Sequence, residues 1–464
     1  MDEVFERDVV VVGAGLSGLV AARRLWQNGI RRIAVFEAAN RVGGRVLNQR
    51  VDAETVVEGG GQWVGPGQDR VLALGRELGV PTFASYDRGR SVLILGGKRR
   101  TYRFGVPYPF PLIGLDLAGA LMRLESMSRR IDLDRPWVAD GAAELDGRTL
   151  DEFLRRQLRT TGARHLLDVI SGLTFGGNPA DISLLSVLIR IRSAGGLDRL
   201  LDMTGGAQEL RFAGGSQLLA ARMAADLGDT VELARPVTRI DATAEGAAVY
   251  SGERVVTTRY VIVALSPADR RSIAFRPSLP YGLAEATAGI GAHAGMKAHA
   301  VYPRPFWRAA GLSGQALGDL GPAPVTVDNS PPDARLGILT AFVADGTGRN
   351  AATPDRLSDP ETRRSAVIDC LTSYFGPEAQ RPLDYIERDW RAEQFTAGCM
   401  PTVPPGLITR IGPTLADRHG PILFAGAEQS RIWNGYMDGA VRAGEDAAHH
   451  ICQAESRYPS RRCP

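Results

Sequence analysis

Val9–Glu37 reads VVVVGAGLSGLVAARRLWQNGIRRIAVFE. The run Val9–Val12 is continuously apolar, the pattern of a strand buried on both faces of a parallel sheet. Gly13-Ala14-Gly15-Leu16-Ser17-Gly18 follows as a G-x-G-x-x-G loop. Its first glycine permits a tight turn, its second lets backbone approach a pyrophosphate, and its third lets helix pack close to strand. Leu19, Ala22 and Leu25 recur at helical spacing. The start of that helix offers free N–H groups and a positive dipole end to phosphate. A second apolar run, Ile33–Phe36, ends at Glu37, where a carboxylate can accept from a ribose hydroxyl. The lone glycine motif is weak; placed between strand and helix, with the acid at this spacing, it predicts a dinucleotide site.

Outward from this unit, the 464 residues are enough for two domains or one interleaved pair. The 44% hydrophobic content suits a sizeable core. Net charge is +3 with 23% charged residues, which excludes a strongly basic nucleic-acid binder. The Arg457, Arg461 and Arg462 end reads as a flexible tail over 456–464. Cys370, Cys399, Cys452 and Cys463 show no metal-ligand or disulfide spacing, so no metal is expected. The charged start MDEVFERD is no secretory leader, and no apolar run reaches the roughly 20 residues of a membrane span. The expectation is a cytoplasmic protein.

Only Lys98 and Lys297 are lysines; the other basic residues of the 55 are arginines. A lysine kept against that bias marks a place for a compact amine whose pKa can fall on burial. Lys98 lies in GGKRR, an exposed hairpin turn. Lys297 lies among small and apolar residues in GAHAGMKAHAVY.

Two glycine-rich stretches follow the first unit. Arg41-Val42-Gly43-Gly44-Arg45 carries arginines suited to a diphosphate or a ring edge. Glu58-Gly59-Gly60-Gly61-Gln62-Trp63 lets main chain pass close to a flat ligand. Val71–Leu78 has helical periodicity. Pro107, Pro109 and Pro111 then break up a stretch, followed by helical patterns at Leu115–Ile131, Leu150–Gln157, Ala163–Ser171 and Leu184–Ile191. Gln217–Leu227 reads as a helix and Tyr260–Leu265 as a buried strand. Alternating runs such as His299–Tyr302 and Gly337–Val343 predict an antiparallel sheet. Pro421–Gly426 is strand then turn, before a helix from about Tyr436 to Ile451.

The fold class expected is α/β: a Rossmann-like FAD-binding domain with an inserted α+β substrate domain. The first would comprise 1–80, 208–285 and 391–455, the second 81–207 and 286–390. Ligands of such open sheets sit beyond the strand ends, facing the insertion.

In order along the chain, GAGLSGL, EAANRVGGR, GGQWVGP, TGGAQELRFAGGS, Lys297, AEQFTAGC and FAGAEQS with WNGYMDGAVRAGEDAA resemble the flavin-containing monoamine oxidases. The resemblance implies bound FAD, and oxidation of an amine to an imine by hydride transfer, with O2 reduced to hydrogen peroxide. By position it places Gly13, Gly15 and Gly18 on the pyrophosphate and Glu37 on the ribose. Arg45, Gly60, Gly61, Gln62 and Trp63 fall along the diphosphate and flavin, Val237 at the adenine, and Glu428, Met437 and Trp390 around the cofactor. The helix after Gly435 would point its N-terminus at the flavin. Lys297 matches the lysine that holds a water near the flavin, and Tyr436 one aromatic wall of the amine cage. Cys399 matches the cysteine that bonds FAD in mitochondrial members; other relatives bind FAD without a bond, so both forms stay open.

The second cage wall should follow Cys399, and here it is Met400, a flexible apolar side chain. That departure implies a bulkier or secondary amine. Trp63, Leu173, Gln208, Val325, Phe342 and Trp390 complete the expected substrate wall. An L-amino acid oxidase would need a guanidinium where Gln62-Trp63 stands. A carbon-substrate desaturase would not call for Lys297 or WNGYM. A flavin-bearing interaction protein would carry long extra insertions. The partners expected are a small amine and O2, with a homodimer consistent with the family.

Overall fold

The computed structural model describes residues 4–103, 110–293, 295–343, 357–414 and 419–457. Its organising strand is Val4–Val12, parallel to Ile33–Phe36 on one side and to Arg254–Val263 on the other. Val9 and Val11 pack under the helices Leu16–Gln27, Gln217–Leu227 and Met437–Arg457. Val10 and Val12 face a second layer with Ile240, Val249 and Val256. Both faces are covered, so the strand has no polar alternation.

The sheet holds eight strands. Along its path, Val231–Glu232, Ile33–Phe36, Val4–Val12, Arg254–Val263, Ala247–Ser251, Arg239–Ala242 and Ala274–Arg276 are neighbours, and Ile422–Phe424 adds to Arg254–Val263. A hairpin turning at Gly252 joins two of them antiparallel. Gly18 shows why the first helix lies so close: a Cβ there would stand 2.0 Å from the Gly13 carbonyl.

A seven-stranded sheet runs Asp384–Asp389, Met296–Tyr302, Gly337–Val343, Val325–Asp328, Leu312–Gly318, Arg90–Leu95 and Lys98–Tyr102. It departs from expectation in two ways. Arg90–Leu95 pairs parallel with Leu312–Gly318, so the sheet is mixed. Met296–Tyr302 is buried along its whole length. One face meets Val367, Leu371 and Tyr374 of the helix Pro360–Phe375, while Val301 on the other meets Val57 and Ile338. Lys98 begins the exposed strand of its hairpin, as expected.

The remaining layer is helical. Leu150–Gln157 starts at Thr149 with a capping box to Glu152, satisfying two first-turn donors. Pro111 does not break its segment; it is the first residue of the helix Pro111–Ser128, where a missing N–H is harmless. Pro107 and Pro109 lie outside the described residues. The last helix continues to Arg457, overriding the tail expected from 456; 458–464 lie outside the described residues. Among the described residues no helix is long and apolar enough to cross a membrane.

Candidate active site

Strand ends, glycine segments and helical layer enclose a cavity of about 1310 Å³. That exceeds the roughly 300–1,000 Å³ of ordinary small-ligand sites, leaving room for a dinucleotide and a second molecule. Gly13, Gly15, Glu37, Pro236, Val237 and Thr238 line one end. Helix Leu16–Gln27 begins there at Gly15 with no side-chain cap and no acid in its first turn. Its free N–H groups therefore suit an anionic ligand. The Glu37 oxygens accept from the Ala14 N–H at 2.7 Å and the Ala39 N–H at 2.9 Å, and each retains acceptor capacity. Burial raises the Glu37 pKa against those bonds.

Gly60, Gly61, Gln62 and Arg45 form the middle wall. A Cβ on Gly60 would stand 2.2 Å from the Arg45 carbonyl, so the two glycine segments are packed backbone to backbone. Arg45 is gripped by Glu428, Nη1 to Oε1 at 2.6 Å. Burial raises the Glu428 carboxyl, but Arg45 prevails and holds it below the usual range.

Lys297, Trp63, Phe342, Cys399, Met400 and Tyr436 converge beyond this wall. Lys297 Nζ donates to the Gly60 carbonyl at 2.7 Å, Gln62 Oε1 at 3.0 Å and the Glu58 carbonyl at 3.3 Å. It also lies 4.8 Å from the Trp63 ring centre. Burial pushes its pKa down to about 8. Tyr436 is pushed up to about 12 by burial, so its phenol stays neutral. Helix Met437–Arg457 starts at the cavity, with Met437 and Ala440 on the wall.

The cavity continues into an apolar arm with Leu117, Leu167, Leu173, Leu200, Leu317 and Val325; Gln208 also lines it. Three expected site residues do not line the cavity. Trp390 is buried behind the glycine segment, its Nε1–H donating to the Gly59 carbonyl at 2.8 Å; the tight backbone at Gly59-Gly60 needs a flat buttress there. Glu428 stands behind Arg45. Gly18 sits under the loop as a packing residue.

Four further residues of the site are given no role by the sequence, although three of them fall inside its quoted motifs. Trp433 donates to the Gly67 carbonyl at 2.8 Å and meets Tyr436 edge-on, ring centres 5.2 Å apart. Asn434 Nδ2 holds the Glu428 and Ser430 carbonyls at 2.8 and 2.9 Å, fixing the turn before Tyr436. Arg190 reaches the Pro401 and Thr174 carbonyls at 3.4 Å. Arg211 binds Glu58 at 3.0 Å, both buried. Only WNGYM as a block could have pointed to Trp433 and Asn434. Among the described residues no group of three or more His, Cys, Asp or Glu could hold a metal ion.

A capless helix start after a buried strand, a glycine-lined slot and a tyrosine-walled apolar end suit a dinucleotide beside an apolar substrate, and the chain's relatives make it a flavin-dependent amine oxidase, an oxidoreductase acting on CH–NH2 with O2. The chain belongs to the family described as flavin containing amine oxidoreductase, whose model matches residues 16–452. It is 43% identical over 447 residues to the protein named flavin-containing monoamine oxidase AofH in Mycobacterium tuberculosis, covering 96% of each. It is 35% identical to amine oxidase [flavin-containing] B of Homo sapiens, over 97% of this chain and 87% of that enzyme. Among solved structures, putrescine oxidase bound to putrescine superposes with a TM-score of 0.89 at 32% identity, over 97% of this chain and all of that one. Cyclohexylamine oxidase from Brevibacterium oxydans IH-35A gives 0.90 at 30%, over 97% and 99%. The α/β fold is that of these amine oxidases.

Proposed function

We propose that the chain oxidises an apolar amine bulkier than benzylamine, a secondary or N-substituted one, to its imine. The observation that carries this reading is that Met400, where the family resemblance sets a second aromatic ring, lines the same cavity as Tyr436 and the apolar residues Leu117, Leu167 and Leu173. Bound FAD would supply the two-electron acceptor, reoxidised by O2 with release of hydrogen peroxide. Gly13, Gly15 and Glu37 would hold its adenosine diphosphate, and Arg45, Gly60 and Gly61 its flavin end. The apolar walls disfavour an ammonium ion, so the amine docks neutral. Tyr436 and Met400 orient its α-carbon. Lys297 holds a proton-exchanging group within the site. Peroxide release over a panel of primary, secondary and N-substituted amines tests this. Higher kcat/KM for benzylamine or phenethylamine than for every secondary amine overturns it.

Cys399 lines the cavity as a free thiol, which supports covalent attachment of FAD. Acid precipitation decides: a yellow pellet supports the bond, and a white pellet under a yellow supernatant removes it. The division into two discontinuous domains is supported by sheet membership. Every strand of the eight-stranded sheet falls in 1–80, 208–285 or 391–455, and every strand of the seven-stranded sheet in 81–207 or 286–390. A homodimer is the assembly proposed, and its mass in solution checks it.

A further inference from the structure

Lys297 is held by three neutral acceptors, two carbonyls and an amide oxygen. An ammonium so deeply buried needs a countercharge. Glu58, whose carbonyl is one of the three acceptors, supplies a carboxylate with no solvent exposure. That carboxylate is bound by Arg211 through Oε2, while Glu58 Oε1 and Arg211 Nε find no partner. Arg211 is fixed by the Asn329 and Ser330 carbonyls at 3.1 and 3.2 Å. Asn329 in turn takes the Gln62 amide that Lys297 uses. Lysine and ion pair thus share one buried polar network.

Of the other groups around the lysine, only Cys399, as a thiolate, would bring a negative charge. His299, two residues along the same strand, binds Thr340 Oγ1 at 2.7 Å, and burial holds it neutral. Arg388, opposite Lys297 in the ladder, is paired with Glu393. Trp63 and Phe342 present ring faces. Cys399, also coupled to the lysine, is a free thiol.

We propose that Glu58 and Arg211 cancel each other's charge beside Lys297, so that burial leaves the lysine a switchable rather than a permanent cation, and that losing either partner alone unbalances it. Both are positioning residues acting through the lysine. Burial depresses the Lys297 pKa to about 8, with Glu58 and Cys399 opposing and Arg211 reinforcing the shift. The value of this device for the reaction rests on the proposed role of Lys297; its existence does not.

The composition makes the test direct. With two lysines in the chain, protein labelled with 15N-lysine gives two side-chain signals, and exposed Lys98 is the internal reference. Their pH midpoints are read by NMR in holoprotein and in cofactor-free protein. E58Q leaves Arg211 unopposed and should lower the Lys297 midpoint by about one unit or more. R211M leaves Glu58 free and should raise it by about as much. The double variant carries neither charge and should return near the parent value. Opposite signs are the signature, because a merely structural pair would not give them. Midpoints that move the same way, or stay put, overturn the proposal. Should R211M fail to fold, E58Q must still titrate below the double variant, and the reverse order overturns the proposal equally. If the midpoints shift as stated but the pH profile of kcat does not follow, the charge device stands and the role of Lys297 in oxidation falls.

Discussion

Arg45 and Glu428 meet as a two-pronged ion pair, Nη1 to Oε1 at 2.6 Å and Nη2 to Oε2 at 3.2 Å. The pair ties the glycine segment after the first strand pair to the turn after the strand Ile422–Phe424, 383 residues away. Its carboxylate is almost fully buried. Glu428→Gln should lower unfolding stability by about 3 kcal/mol, measured by urea titration. Because the Glu428 pKa is depressed, the pair's contribution is complete above the ordinary carboxylate range. It is lost as pH falls through the folded value, so the variant and parent curves should converge in acid.

Lys297 gives the opposite pH signature. Its folded pKa of about 8 lies below the unfolded lysine value of about 10.4. Between the two the unfolded chain binds the extra proton, so stability rises with pH across that window. Lys297→Met should be more stable than the parent at pH 7 by roughly 2 kcal/mol. That advantage should shrink from pH 8 to about 10.4 in thermal melts. The same variant should retain FAD and slow flavin reduction or reoxidation at least about tenfold, read by stopped flow.

Two glycines separate contact from propensity. Gly18→Ala would press a Cβ to 2.0 Å from the Gly13 carbonyl and should cost about 3 kcal/mol or more together with FAD binding. Gly119, exposed in the helix Pro111–Ser128, has nothing within 4 Å of where an added methyl would stand. Gly119→Ala should therefore stabilise by about 0.5–1 kcal/mol. Chemical denaturation of both variants checks the contrast.

Met400→Phe puts a second aromatic ring on the cavity wall that Tyr436 also lines. It should raise kcat/KM for benzylamine about tenfold, roughly 1.4 kcal/mol, and lower it for secondary amines. Steady-state peroxide assays with both classes measure the exchange.

Local signals in the sequence are strong where one element answers to one period. Leu150–Gln157, Gln217–Leu227 and Gly337–Val343 have the bounds their patterns predict. Pro111 misleads because a proline stops a helix in its interior yet starts one in its first turn. Met296–Tyr302 lacks alternation because two layers cover it, which no window of seven residues records. Lys297 is legible through the arginine bias around it. The buried Glu58–Arg211 pair in its network is not, since its members stand 153 residues apart in the sequence.

The sequence by itself determined the dinucleotide unit Val9–Glu37, the order of its glycine segments, and the family to which Lys297, Cys399 and WNGYM belong. Those features are local, fixed by backbone freedom and apolar period over a few residues. The tertiary structure alone decided that Trp390 buttresses from behind, that Glu428 grips Arg45, and that Glu58 and Arg211 share the network of the lysine. Buried charges choose partners by distance in the folded core, where water no longer screens them, and sequence separation carries no trace of that choice.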